Sequence, residues 1–121
     1  MRDHTKLAAF RLADQLALMV YEVTRYFPTC ERFGLTSQMR RAAVSTAANI
    51  VEASARLTEA DYLRMLSIAY GSAKELQYEI SLAIRLNYID NQQSDRLRTT
   101  STDTCRALAG LIAAIRNRIN R

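Results

Sequence analysis

Tryptophan is missing from this 121-residue sequence, and turn formers are scarce: three glycines and one proline. That argues against a β-sandwich or barrel, whose many chain reversals draw on glycine and proline. A phosphate-binding loop is excluded too, because it needs clustered glycines. The single histidine, His4, stands near the terminus. No Ser/His or Cys/His couple can therefore form within a helical core. Glu-x-x-His pairs, which build di-metal sites in bundles, do not occur. The two cysteines, Cys30 and Cys105, lie far apart without CxxC or Cys/His spacing, and read as free thiols of a reducing cytoplasm. No apolar run approaches the roughly 20 residues of a membrane span. Residues 6–10 are followed at once by Arg11 and Asp14, unlike a secretory leader. A cytoplasmic protein that is not an enzyme, with no metal and no cofactor, is the expectation.

What is present is helix-forming sequence and positive charge. Hydrophobic residues make up 49% and charged residues 24%, a balance typical of a folded domain. The net charge is +5, and it is unevenly spread. Residues 35–57 carry Arg40, Arg41 and Arg56 against Glu52 alone. Residues 91–121 carry Arg96, Arg98, Arg106, Arg116, Arg118 and Arg121 against Asp95 and Asp103, whereas 58–90 is acidic. Regional basic excess can steer a protein toward phosphates, although arginine-rich surfaces also simply keep bundles soluble.

Apolar residues recur at the three- and four-residue spacing of amphipathic helices. In a first segment, 6–27, these are Ala9, Leu12, Leu16, Val20, Val23 and Phe27, and Pro28 ends the run. A second, 37–56, should be capped by Thr36 or Ser37 and bury Met39, Ala43, Ile50 and Leu57. A third, 59–87, opens with Thr58 as cap and Asp61 three residues on, and carries Tyr62, Leu66, Ala69, Ala73, Leu76, Ile80 and Ala83. A fourth, 91–119, is capped by Asp90, with a weak helix former run at 99–102. The short links predict an all-α, antiparallel up-down four-helix bundle forming one domain.

One polar stripe stands out on the second segment. Gln38, Arg41, Ser45, Asn49, Glu52 and Arg56 follow at spacings of 3, 4, 4, 3 and 4, which places them on one helix face. Such stripes are usually just the wet side of a helix. This one lacks the Glu/Lys pattern of a solubilising surface. The third segment has a second stripe away from its seam, partly apolar: Arg64, Ile68, Gly71, Glu75, Leu82 and Leu86. Folding the two helices back on each other sets Arg41 opposite Glu75, Ser45 opposite Gly71 and Glu52 opposite Arg64, and spacing leaves open whether they meet inside one subunit or across an interface between two. A helix with two partly apolar faces usually has two partners, so self-association is expected. Glu75 and Glu79, one turn apart, could hold a cation or act as paired acids, but paired surface carboxylates are far more often simply solvated.

The stretches Phe27-Pro28, LTSQMRRAAVS over 35–45, ANIVE over 48–52 and IAYGSAKEL over 68–76 resemble a family of four-helix bundles. Its founding members are encoded in intervening sequences of bacterial 23S rRNA genes. The resemblance runs from the first helix through Tyr88-Ile89, and the fourth helix matches in pattern only. It implies assembly into a ring, typically a pentamer. A related member is the accessory variability protein of diversity-generating retroelements, a basic ring that binds nucleic acid and a reverse transcriptase. The matching positions are Gln38, Arg41, Ser45, Asn49, Glu52, Gly71, Ser72 and Glu75, which the family uses for packing, assembly or binding. Ala53 and Ala55 stand where the family usually has glycine, and alanine should extend the second helix.

Two function classes follow. One is an oligomeric bundle binding RNA or DNA through Arg40, Arg56, Arg106, Arg116 and Arg118, with little sequence selectivity and steep salt dependence. In that class Arg41 is assigned to an internal ion pair, and Tyr70 and Tyr78 are the candidate stacking partners for bases. The alternative is a scaffold ring that presents grooves to another protein.

Overall fold

The computed structural model describes residues 2–121. Its four helices are α1 (Ala8–Thr24), α2 (Leu35–Ser54), α3 (Glu59–Arg85) and α4 (Asn91–Ile119), with single 3-10 turns at His4–Lys6 and Thr29–Glu31. Among the described residues there is no strand. Helix α1 packs on α2 and α4, and α3 packs on the same two.

Two apolar clusters fill the interior. One joins Leu16, Val20, Val23 and Phe27 to Leu35, Met39, Leu76, Ile80 and Leu97. The other joins Ala9 and Ala13 to Ile50, Ala53, Tyr62, Leu66, Ala69, Leu108, Ile112 and Ile115. Each cluster thus draws on the late halves of one pair of helices and the early halves of the other pair. Full burial of each large side chain contributes about 1.5–3 kcal/mol, so packing outweighs local propensity. That explains why α4 runs unbroken through its weak segment at 99–102. Ser101 and Thr104 are buried there, and the Thr104 hydroxyl donates to the Thr100 carbonyl at 2.7 Å.

The helix ends show which local signals governed. Helix α1 stops at Thr24, short of the expected residue 27. The residue before a proline avoids helical ψ, so the last turn tightens: Tyr26 N–H donates to Val23 O and Phe27 N–H to Thr24 O. Phe27 still enters the core. Helix α2 starts at Leu35, before the expected caps Thr36 and Ser37, which fall inside its first turn. The Glu31 carboxylate takes over the capping role, accepting from the Leu35 N–H at 3.1 Å and from the Tyr88 hydroxyl at 2.9 Å. These two donors hold its pKa below the usual glutamate value. A Cβ on Gly34 would lie 2.7 Å from the Glu31 Oε1, so glycine leaves that carboxylate its place.

Helix α2 ends at Ser54 with Ala55 as its C-cap. Leu57 therefore lies beyond the helix and is 93% exposed, not part of the stripe. Thr58 caps α3 by accepting from the Asp61 N–H at 3.1 Å, and Asp90 caps α4 by accepting from the Gln93 N–H at 2.8 Å. Helix α3 closes on Asn87, at φ 63°. Its N–H donates to Ile84 O while the Tyr88 N–H reaches Ala83 O, a Schellman closure with asparagine in the left-handed position.

Candidate functional site

Helices α2 and α3 meet along a polar seam. The Ser45 and Ser72 hydroxyls lie 2.8 Å apart, and Asn49 Nδ2 donates to the Ser45 carbonyl at 2.7 Å and to its hydroxyl at 3.0 Å. Beside them Gln38, Arg41, Ala42, Ser45, Ser72 and Glu75 line a polar groove of about 410 Å³. Three expectations are corrected here. Ser45 meets Ser72, not Gly71, because the register differs by one residue; Gly71 is exposed, with open space where a Cβ would go. Arg41 and Glu75 share the groove, yet no salt bridge joins them among the described residues. Glu52 pairs with Arg56, just past the end of α2, at 3.7 Å, and Arg64 with Asp61 inside α3 at 3.9 Å, instead of with each other. Long side chains at exposed positions find helical neighbours one turn away more readily than partners across a seam.

Glu79 lies one turn beyond Glu75 and is only 3% exposed. Among the described residues neither of its oxygens has a hydrogen-bond partner. Burial first, and the neighbouring Glu75 carboxylate second, push its pKa up to about 7.

A larger groove of about 670 Å³ adjoins the first through Arg41 and Ser45. Tyr21, Arg32, Phe33, Thr36, Ser37, Arg40 and Val44 complete its lining, which holds three arginines and no carboxylate. Arg40 is fixed from below: its Nε donates to the Thr24 hydroxyl at 2.8 Å, and its guanidinium lies 4.8 Å from the centre of the Tyr21 ring. The Arg32 guanidinium sits 5.4 Å from the centre of the Phe33 ring. The one carboxylate nearby in sequence, Glu31, is turned to the α2 N-terminus and Tyr88.

The family model of the 23S rRNA-intervening sequence protein matches residues 5–110. This chain belongs to that family. Among solved structures, it is similar to a protein with unknown function from the S23 ribosomal protein family of Bacteroides thetaiotaomicron VPI-5482. The TM-score is 0.80 and the identity 26%, covering 87% of this chain and 98% of that one. No curated protein matches significantly. The family match takes in every residue of both grooves and leaves Arg116 and Arg118 outside it.

The other expected arginines of this family member divide. Arg118 donates to Glu59 Oε2 at 2.8 Å and 3.2 Å. Arg2 donates to Glu59 Oε1 at 3.0 Å and to the Arg56 carbonyl at 2.7 Å, with its guanidinium 3.9 Å from the centre of the Tyr62 ring. This clasp ties the chain start to α3 and α4, and its hydrogen bonds lower the Glu59 pKa. Arg56 is half-buried, close to Glu52 and to the Met65 sulfur. Arg106 and Arg116 are exposed and in no salt bridge among the described residues. Tyr70 is half-buried and Tyr78 exposed, and neither lines the larger groove. Sequence reasoning missed Arg32 and Phe33, which lie in a turn where no periodicity marks them. The available signal was an arginine–aromatic pair just before Gly34, in a segment that needs neither for a core.

Proposed function

We propose that this protein is a non-enzymatic, oligomeric up-down bundle that binds RNA or DNA through surface arginines with little sequence selectivity. One observation carries this: the larger groove gathers Arg32, Arg40 and Arg41 with no acid among its lining residues. Such a surface attracts phosphates, and the counterions released on binding supply affinity. Arg106 and Arg116, on the late half of α4, are further exposed cations outside that groove. The two core clusters, one joining late halves of α1 and α3 to early halves of α2 and α4 and the other the reverse, support the antiparallel arrangement. Val51 on α2 and Ile68 on α3 are exposed apolar residues outside the larger groove that support self-association, and the family resemblance implies a pentameric ring. Free Cys30 and Cys105 suit a cytoplasmic location.

A protein-scaffold ring is the second reading, favoured by the exposed Leu18 and Leu57, which phosphate binding does not use. Fluorescence anisotropy against labelled RNA and DNA across a salt series separates the two. Phosphate binding weakens log-linearly with salt. Arg32→Ala/Arg41→Ala lowers the slope by about 2, one unit per lost contact. Arg116→Ala/Arg118→Ala lowers it by about 1, because Arg118 is already paired with Glu59. Absence of binding at low salt leaves the scaffold.

A further inference from the structure

Building on the nucleic-acid reading, we infer that the larger groove is a site for single-stranded RNA, in which Phe33 stacks on an unpaired base and Arg32 and Arg41 hold the flanking phosphates. Phe33 is 88% exposed and belongs to neither apolar cluster. It has no part in starting α2, which Glu31 and Gly34 manage. The other aromatic ring of this groove is occupied, since Arg40 covers Tyr21. Arg32 approaches the Phe33 ring more loosely, at 5.4 Å, and leaves the residue 88% exposed, so Phe33 offers an open aromatic face beside a guanidinium, the pairing that receives a base and its phosphate.

A duplex keeps its base faces stacked inside, so only an unpaired strand can present one to a protruding ring. The groove volume, about 670 Å³, falls in the range of about 300–1,000 Å³ that small-ligand clefts occupy. Thr36 and Ser37 add hydroxyls to the wall, and these can answer a ribose 2′-OH. The absence of any lining carboxylate, with three cations present, sets the sign of the occupant.

The sequence has no tryptophan, so Phe33→Trp installs a unique fluorescent reporter on an exposed position. A short oligouridylate should quench it saturably. An abasic ribose-phosphate strand of equal length, a duplex RNA and the matching DNA strand should quench it weakly or not at all. Phe33→Ala should weaken oligouridylate binding by about 5- to 50-fold with an unchanged thermal melt. RNA binding without quenching, and with Phe33→Ala within about twofold of the parent, overturns this site while the nucleic-acid reading survives. Equal quenching by the DNA strand overturns the assignment to RNA. Failure of every nucleic acid to bind at low salt overturns both readings. Displacement of the RNA by polyglutamate at equal affinity, with the same quenching, assigns the groove to an acidic protein partner instead.

Discussion

Glu79 occupies a place in α3 that a leucine or methionine would fill without electrostatic cost. Its carboxyl is buried, unpaired and shifted from 4.5 to about 7. Below pH 4.5 both folded and unfolded chains hold this proton, and the group is neutral to stability. Between 4.5 and about 7 the folded state keeps the proton while the unfolded state has released it, so stability falls as pH rises. Above that window the whole penalty is present, at most about 3 kcal/mol. The carboxylates with lowered pKa, Asp3, Glu31 and Glu59, act the other way and in a lower range: their contribution is lost as pH falls through their folded values. Glu79→Gln should therefore flatten the decline between pH 5 and 7 and raise stability above pH 7 by about 1–3 kcal/mol. Urea unfolding at a series of pH values reads this directly. A parent protein whose stability holds level or climbs across that window would rule the account out.

Among the elements, the end of α3 offers a cleaner test than its middle. Asn87 adopts φ 63° to close the Schellman turn, a conformation that asparagine tolerates and glycine takes without cost. Asn87→Gly should stabilise by about 0.5 kcal/mol and Asn87→Ala destabilise by about 1 kcal/mol, giving melting temperatures that move in opposite directions. Equal melts for both variants would remove the left-handed turn as their cause. The caps at Thr58 and Asp90 were legible in the sequence because each is a short polar side chain bonding three residues ahead. The start of α2 was not, because its cap is a glutamate four residues back, accommodated by Gly34 and braced by Tyr88, 57 residues away in sequence. The candidate site divides similarly. Arg40, Arg41 and Ser45 were marked by composition and helical spacing, whereas Arg32 and Phe33 lie in a turn where spacing carries no information. The α2–α3 pairing by level missed by one residue, enough to bring Ser72 and not Gly71 to Ser45. Within the described chain Glu52 and Arg64 take neighbours about one turn away instead of each other.

At the level of the whole molecule, charge and exposed apolar surface lie close together on α2. Val51 on α2 is exposed outside the groove that holds Arg41, and Ile68 on α3 stands one turn before Ser72 at the seam. If copies of the chain associate through these residues, each subunit brings its own arginine-lined groove, and a long strand can engage several at once. Second and later contacts are then intramolecular, so avidity can exceed single-site affinity by about 10²- to 10⁴-fold. Sedimentation equilibrium should return an integer multiple of 13.7 kDa at micromolar concentration. Val51→Asn/Ile68→Asn, which adds no charge to repel phosphate, should shift that mass toward a single chain. The same variant should bind a short oligonucleotide within about threefold of the parent while losing about 100-fold or more on a long strand. A parent protein that sediments as one chain would remove the oligomer outright. A variant that dissociates yet keeps its long-strand affinity would mean that the grooves act singly, and that assembly serves a purpose other than avidity.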